Sequence, residues 1–200
     1  MVGFFMLNRL FVFTLLICLS VASNGYSADI PTKKTAQVQS GLYVTAKEAY
    51  DILQNDSSAL LIDVRDPIEI MFTGYATETD IHVPILLSDR TQKHPKKPVY
   101  AMQKNKNFLA EVTAKLEALK ADKNTKLIFM CRSGSTRSAP AADMFYQAGW
   151  KNAYTVVDGF EGSKSKSGPS KGIRNVNGWK NSGLPWGYKL DFEKMYMADR

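Results

Sequence analysis

The residues with the most chemistry to offer run in unbroken order: Cys131, Arg132, Ser133, Gly134, Ser135, Thr136, Arg137 and Ser138. They follow the apolar run Leu127-Ile128-Phe129-Met130 and precede Ala139-Pro140-Ala141-Ala142-Asp143-Met144-Phe145. A short apolar run, a small-residue loop opening on cysteine and a helix-forming segment with proline near its first turn predict strand, anion-binding loop and helix. Unpaired backbone N–H groups of such a loop and of the first helical turn converge above its first residue, where the helix dipole adds positive potential. Arg132 and Arg137 add formal charge. A thiol with an ordinary pKa of about 8.5 falls to roughly 3.5–7.5 in such surroundings. Cys131 is therefore expected to be a thiolate, and so a nucleophile, at neutral pH.

Other stretches must position that loop. Gly41-Leu42-Tyr43-Val44 is a short strand candidate, and Thr45-Ala46-Lys47-Glu48 has the Thr-x-x-Glu form of a capping box that starts a helix to about Gln54. Ala59-Leu60-Leu61-Ile62-Asp63-Val64 is a continuous apolar run of the kind expected of a buried parallel strand, and Asp66-Pro67 opens a further short helix. Ile81-His82-Val83-Pro84 reads as a fourth piece of strand. The span between Pro84 and Leu127 is more polar, with residues 93–98 an exposed loop. Behind it Phe108, Val112, Leu116 and Leu119 recur at helical spacing, giving an amphipathic helix over 107–120. Gly149 stops the helix after the loop, and Ala153-Tyr154-Thr155-Val156-Val157 is another strand. Strands alternating with helices predict an α/β fold: a parallel sheet of about five strands with helices on both faces. Ligands of such sheets sit beyond the carboxyl ends of the strands, where Cys131 falls.

The 200 residues suit one domain with a sizeable core, 44% of them being hydrophobic. A formal net charge of +7 reads first as scattered lysines on a solvated surface and, alternatively, favours anionic ligands or acidic partners. At the N-terminus, Arg9 precedes the apolar run from Leu10 to Leu19, and small residues follow up to Ala28. That pattern predicts a cleavable signal peptide over 1–28 and a periplasmic or secreted protein with no stable membrane span after processing. The run is shorter than the roughly 20 apolar residues a span needs, so an uncleaved N-terminal anchor is the alternative. Residues 29–40 read as a linker, 41–187 as the domain and 188–200 as a C-terminal tail. Of the 2 cysteines, Cys18 lies in the leader, so removal of that segment leaves Cys131 without an internal disulfide partner.

Several of these stretches together resemble the rhodanese family of sulfurtransferases, over roughly residues 41–186. Leu60-Leu61-Ile62-Asp63-Val64-Arg65-Asp66-Pro67 is similar to the family's strand-to-helix element, and Gly74 through Ile81-His82-Val83-Pro84 to a second, altered one. Val156-Val157-Asp158-Gly159-Phe160-Glu161-Gly162 and Gly178-Trp179-Lys180-Asn181-Ser182-Gly183-Leu184-Pro185 resemble the two halves of its closing element, here separated by an insertion of Lys, Ser and Gly residues. The resemblance implies that Cys131 takes sulfur from a donor such as thiosulfate, holds it as a persulfide and passes it to a thiophilic acceptor, with no metal or organic cofactor. It implies that the loop amides of Arg132 to Arg137 stabilise the persulfide, and that Arg132 favours an anionic donor.

The loop parses in two ways. Read as Cys-Arg-Ser-Gly-Ser-Thr it resembles the six-residue loop of thiosulfate-using rhodaneses, with Thr136 closing the ring. Read as Cys-x-x-Gly-x-x-Arg-Ser it has the spacing of cysteine-dependent phosphatases and of certain arsenate reductases on the same fold, with Arg137 closing a wider ring; those enzymes usually carry His before the Cys, where this chain has Met130. A non-catalytic sulfur carrier or binding module is the third reading. Asp63 and Arg65 are expected to form a salt-bridged support behind the loop. His82 and His94 are the only histidines and lack ligand spacing, so no metal site is expected. The basic stretch Lys164, Lys166, Lys171, Arg174 and Lys180 reads as a solvated loop or, alternatively, as a surface that steers substrate or meets an acidic protein partner; nucleic acid is not expected.

Overall fold

The computed structural model describes residues 27–197 of the chain. The expected signal segment lies, through residue 26, outside the described residues.

The elements follow the alternation read from the sequence: β1 (Tyr43–Val44), α1 (Ala46–Asn55), β2 (Leu60–Asp63), α2 (Pro67–Thr73), β3 (Tyr75–Ala76) and β4 (Thr79–His82). Then come β5 (Leu86–Lys93), β6 (Tyr100–Lys104), α3 (Phe108–Ala118), β7 (Leu127–Met130), α4 (Ser138–Gln147), β8 (Ala153–Val156) and β9 (Trp186–Gly187). β1, β8, β7, β2 and β4, in that spatial order, make a five-stranded sheet in which every pairing is parallel. β7 lies at its centre, so the residue that follows it emerges mid-sheet at the carboxyl edge.

β7 is apolar throughout, and β2 is apolar up to its terminal Asp63, because both faces are covered. Ile62 of β2 and Leu127 and Phe129 of β7 point into a cluster with Phe108, Val112 and Leu116 of α3 and Phe145 of α4. Their neighbours Leu61, Ile128 and Met130 point the other way, toward Ala49 and Ile52 of α1 and Trp179. The alternation is the period of two that a strand imposes on its side chains. α1 starts at the expected capping box, with Thr45 Oγ1 accepting from the Glu48 amide and Glu48 accepting from the Thr45 amide at 2.7 Å. α2 starts on Asp66, whose carboxylate accepts from the Ile68 amide at 2.8 Å, with Pro67 at the first helical position.

Two boundaries differ from the sequence reading. Residues 29–40, expected to be a linker, pack on the domain: Ala36 and Val38 are buried, and the Gln39 amide donates to Asp143 of α4 at 2.7 Å. The expected tail also closes onto the sheet, with Met195 buried and the His82 amide donating to the Lys194 carbonyl at 3.1 Å. Between Pro84 and α3 the polar span forms an antiparallel hairpin, β5 with β6, whose connection falls at the exposed loop expected over 93–98. Among the described residues no helix is long and apolar enough to cross a membrane.

Candidate active site

Cys131 begins the loop where β7 ends, and α4 resumes at Ser138. The loop's first carbonyls are taken from outside: the Phe160 amide donates to the Cys131 carbonyl at 2.8 Å and the Glu161 amide to the Arg132 carbonyl at 2.9 Å. With its acceptors tied outward, the loop turns N–H groups of Ser133 and Ser138 toward the buried sulfur. Two glycines permit this approach. Gly134 has φ +67°, and a Cβ there would lie 2.0 Å from the Val157 carbonyl oxygen. Gly159 has φ +64°, and a Cβ there would lie 2.5 Å from the Cys131 carbonyl oxygen. A side chain at Gly134 would drive the loop away from the backbone of Val156 and Val157, and one at Gly159 would collide with the loop backbone at Cys131 to Ser133.

Cys131 Sγ and Ser138 Oγ are 3.3 Å apart, and the Thr155 hydroxyl donates to Ser138 Oγ at 3.0 Å, freeing the Ser138 proton for a sulfur anion. Burial pushes the Cys131 thiol up, but the Arg137 guanidinium, the Ser138 hydroxyl and the two amides outweigh it, so the thiol titrates below its ordinary value.

Arg137 is itself buried and held: Nη1 and Nη2 donate to the two oxygens of Glu69, at 2.6 and 3.0 Å. Burial opposes its charge, yet the Glu69 carboxylate keeps it firmly protonated. Glu69 projects from α2, so this fork joins that helix to the loop beside the sulfur. Asp63 and Arg65 lie deeper, both fully buried. Arg65 Nε donates to both Asp63 oxygens at 3.0 Å, Nη2 to Asp63 at 2.6 Å and to the Gly74 carbonyl at 3.0 Å, and Nη1 to Thr73 at 2.9 Å. Its guanidinium stacks 4.0 Å from the centroid of Phe160, the residue that clamps Cys131. Burial alone would raise the Asp63 pKa; Arg65 reverses that, and the carboxyl titrates below its usual range. His82 completes this layer: Nε2 donates to the Arg65 carbonyl at 2.9 Å, so Nδ1 is the acceptor for the Tyr196 amide at 3.2 Å. Burial holds His82 neutral, below its ordinary pKa.

The other loop residues face outward. Arg132 donates from Nε to Glu161 at 2.5 Å and is largely exposed; Thr136 is exposed; Ser135 shares a 3.0 Å hydrogen bond with Thr35 of the N-terminal segment. Lys164 and Arg174 stand together beside the loop, whereas Lys180 turns away, donating to the Thr73 carbonyl at 2.9 Å. Sequence reasoning missed Glu69 and Thr155, and named Ser138 and Asp158 only as members of their motifs, with no role of their own. Asp158 is buried and accepts from the amides of Ala46 at 2.8 Å and Gly178 at 3.0 Å, so it ties α1 to the segment closing over the loop. Asp66-Pro67 announced the helix that carries Glu69, but no local pattern marks its partner 68 residues away.

Residues 45–166 match the rhodanese-like domain family. The chain is 32% identical over 143 residues to "Uncharacterized protein RC0915" of Rickettsia conorii, covering 72% of this chain and 94% of that protein. A Rickettsia rickettsii protein, "Uncharacterized protein RP600 homolog", is 30% identical over the same length. Among solved structures, Rv0390 from M. tuberculosis superposes with a TM-score of 0.57 at 31% identity, over 74% of this chain and 97% of that one.

Proposed function

This chain belongs to the rhodanese-like domain family, and from that membership we propose that it is a sulfurtransferase moving sulfane sulfur from an anionic donor such as thiosulfate to a thiophilic acceptor. The observation that carries this reading is a buried thiol, held below its ordinary pKa and faced by the amides of Ser133 and Ser138 and by the Ser138 hydroxyl. The Cys131 thiolate attacks the outer sulfur of thiosulfate. The new S–S bond forms as the donor's own S–S bond breaks, and sulfite leaves with the electron pair. The persulfide anion then rests among the amides of Ser133 and Ser138 and the Ser138 hydroxyl, donors already in place before charge arrives. A thiophile such as cyanide attacks the outer sulfur, departs as thiocyanate and returns the Cys131 thiolate.

Incubation with thiosulfate should add one sulfur atom to Cys131 by mass spectrometry, and cyanide should remove it with formation of thiocyanate. Cys131→Ser should abolish both, because a hydroxyl of similar size is not ionised in the same loop. Turnover of thiosulfate by the serine variant would sink this reading.

A second reading rests on one observation: seven positions separate β7 from α4, and the last, Arg137, is anchored beside the sulfur by Glu69. This supports the alternative in which Arg137 closes a wider ring, suited to a tetrahedral oxyanion, phosphate or arsenate. Hydrolysis of p-nitrophenyl phosphate without thiocyanate formation would select it, and activity in neither assay would select a binding module. The signal pattern supports a further part of the proposal, that the protein acts outside the cytoplasm after removal of residues 1–28. N-terminal sequencing of the exported form tests it, and an intact Met1 in a cytosolic fraction would refute it.

A further inference from the structure

The insertion that parts the two halves of the closing element is a small hairpin. Lys164 and Arg174 pair across it in an antiparallel bridge, and the Ser165 amide donates to the Ile173 carbonyl at 2.8 Å. Its root is fixed to the active-site loop, since the Gly162 amide donates to the Arg132 carbonyl at 3.2 Å. Across the root the Ser163 amide donates to Asn177 at 2.7 Å. The hairpin therefore holds a set position relative to Cys131. Beside the loop lies an open cleft of about 540 Å³, lined by Ser133, Gly134 and Ser135 of the loop, by Lys164 and Arg174 of the hairpin and by the 29–36 segment, whose Asp29 and Lys33 also face it; Ser133, whose amide faces the sulfur, links the cleft to Cys131.

Arg174 differs from the other arginines around the sulfur. Arg65 is matched to Asp63, Arg137 to Glu69 and Arg132 to Glu161. Arg174 has no carboxylate partner among the described residues: Nη1 donates to the Gly162 carbonyl, and its buried Nε has no acceptor there. A sealed donor on a cation, without a counter-ion, is costly unless an anion completes it.

We propose that Arg174 is the receptor for the negative end of the sulfur donor, so that the 163–177 hairpin, rather than Arg132, sets the preference for anionic donors. The proposal rests on the sulfurtransferase reading for its substrate class, a doubly charged sulfur oxyanion such as thiosulfate. Burial, followed by the like charge of Arg132, lowers the Arg174 pKa, while Glu161, Glu69 and Cys131 act in the other direction. An anionic group seated on Arg174 would relieve the desolvated cation and present the outer sulfur to Cys131. Arg132, spent on Glu161 at 2.5 Å, would have to break an ion pair to do the same.

The test uses the full-length protein and two readouts. Cys131 is alkylated with iodoacetate, which is anionic, and with iodoacetamide, which is neutral and reports the thiolate and the fold. Arg174→Gln should lower the ratio of the iodoacetate rate to the iodoacetamide rate by about tenfold, as loss of a charged hydrogen bond requires. Arg174→Lys should restore much of it, which a purely structural role at Gly162 would not. In the thiosulfate–cyanide assay the KM for thiosulfate should rise by a similar factor in Arg174→Gln, and by less in Arg132→Gln. An unchanged alkylation ratio, or a larger effect from Arg132→Gln in both readouts, overturns the proposal. If the unmodified protein forms no thiocyanate while the ratio still falls in Arg174→Gln, the anion receptor stands and the sulfurtransferase reading fails.

Discussion

Beneath Cys131 and beside it lie two regions built from the same residue types to opposite effect. The floor, made by the end of β2, by α2 and by Arg137, matches its arginines to carboxylates. Asp63 and Arg65 are both 0% exposed, and every nitrogen of the Arg65 guanidinium donates. At the rim, Arg132 meets Glu161 with side chains 45% and 16% exposed, and Lys164 and Arg174 add cations beyond the available carboxylates. A closed network in low dielectric fixes geometry, because any departure strands a charge. An open one with surplus positive charge leaves interaction energy for a ligand. The floor positions the sulfur and the rim is left to recognise what approaches it.

The sharpest way to break that contrast is at the bottom. Asp63→Ala removes one member of a fully buried pair and leaves Arg65 charged without its counter-ion. The expected loss of unfolding free energy in urea is about 3–5 kcal/mol. A loss below about 1 kcal/mol, the size expected of an exposed pair, would erase the distinction between floor and rim.

Next in size is the coupling between Arg137 and the thiol. Replacing both members of the fork, Glu69→Gln with Arg137→Met, avoids stranding a carboxylate. The midpoint of the iodoacetamide rate against pH should then move up, toward the ordinary thiol value. In the unmodified protein, where the folded pKa is the lower one, the thiolate's contribution to stability is fully present above the ordinary thiol pKa and is lost as pH falls through the folded pKa. The double variant should show less of this slope. A rate profile that does not move would mean that the amides and Ser138 alone hold the thiolate.

The parts of this arrangement visible in the sequence are those with local signatures. β2 and β7 were legible because strands covered on both faces need unbroken apolar runs, and α1 because Thr45 and Glu48 cap it within one turn. The strand, loop and helix around Cys131 were legible for the same reason. Polar Ser88-Asp89-Arg90-Thr91 in β5 carries no alternation because that hairpin is mostly exposed on both sides, so its pairing left no period to read. The 29–40 segment holds on through two buried side chains, Ala36 and Val38, and through Val38 bonding the Tyr43 hydroxyl, too little to outweigh its lysines in composition. Glu69 and Arg174 owe their places to tertiary contacts, the first to a fork between α2 and the loop and the second to a bridge across the insertion.

A smaller effect comes from the histidine under the floor. Burial depresses the His82 pKa below 6.5, against the pull of Asp63 and the Arg65 carbonyl. A base with a depressed folded pKa stabilises the fold above its unfolded value. That stability is lost as pH falls from 6.5 through the folded pKa, because the unfolded chain takes up the proton first. The urea midpoint should therefore decline over that window, with a slope of at most about 1.4 kcal/mol per pH unit. His82→Gln should flatten this part of the profile, and an unchanged profile in the variant would assign the slope to the carboxylates.

The smallest change is expected at the rim, where the contrast can be read most cleanly. Glu161→Gln deletes the partner of Arg132 without touching the Glu161 backbone amide, which is what clamps the loop through the Arg132 carbonyl. Because Arg132 is nearly half exposed, water and salt already screen the pair, and the stability difference in urea should stay below about 1 kcal/mol. The substitution also removes a negative charge from the neighbourhood of the thiol and the cleft. Anionic donors should be accepted somewhat better and the KM for thiosulfate should fall, most visibly at low ionic strength. If Glu161→Gln instead cost as much as Asp63→Ala, the Arg132 pair would belong to the floor, and the surplus charge that distinguishes the rim would rest on Lys164 and Arg174 alone.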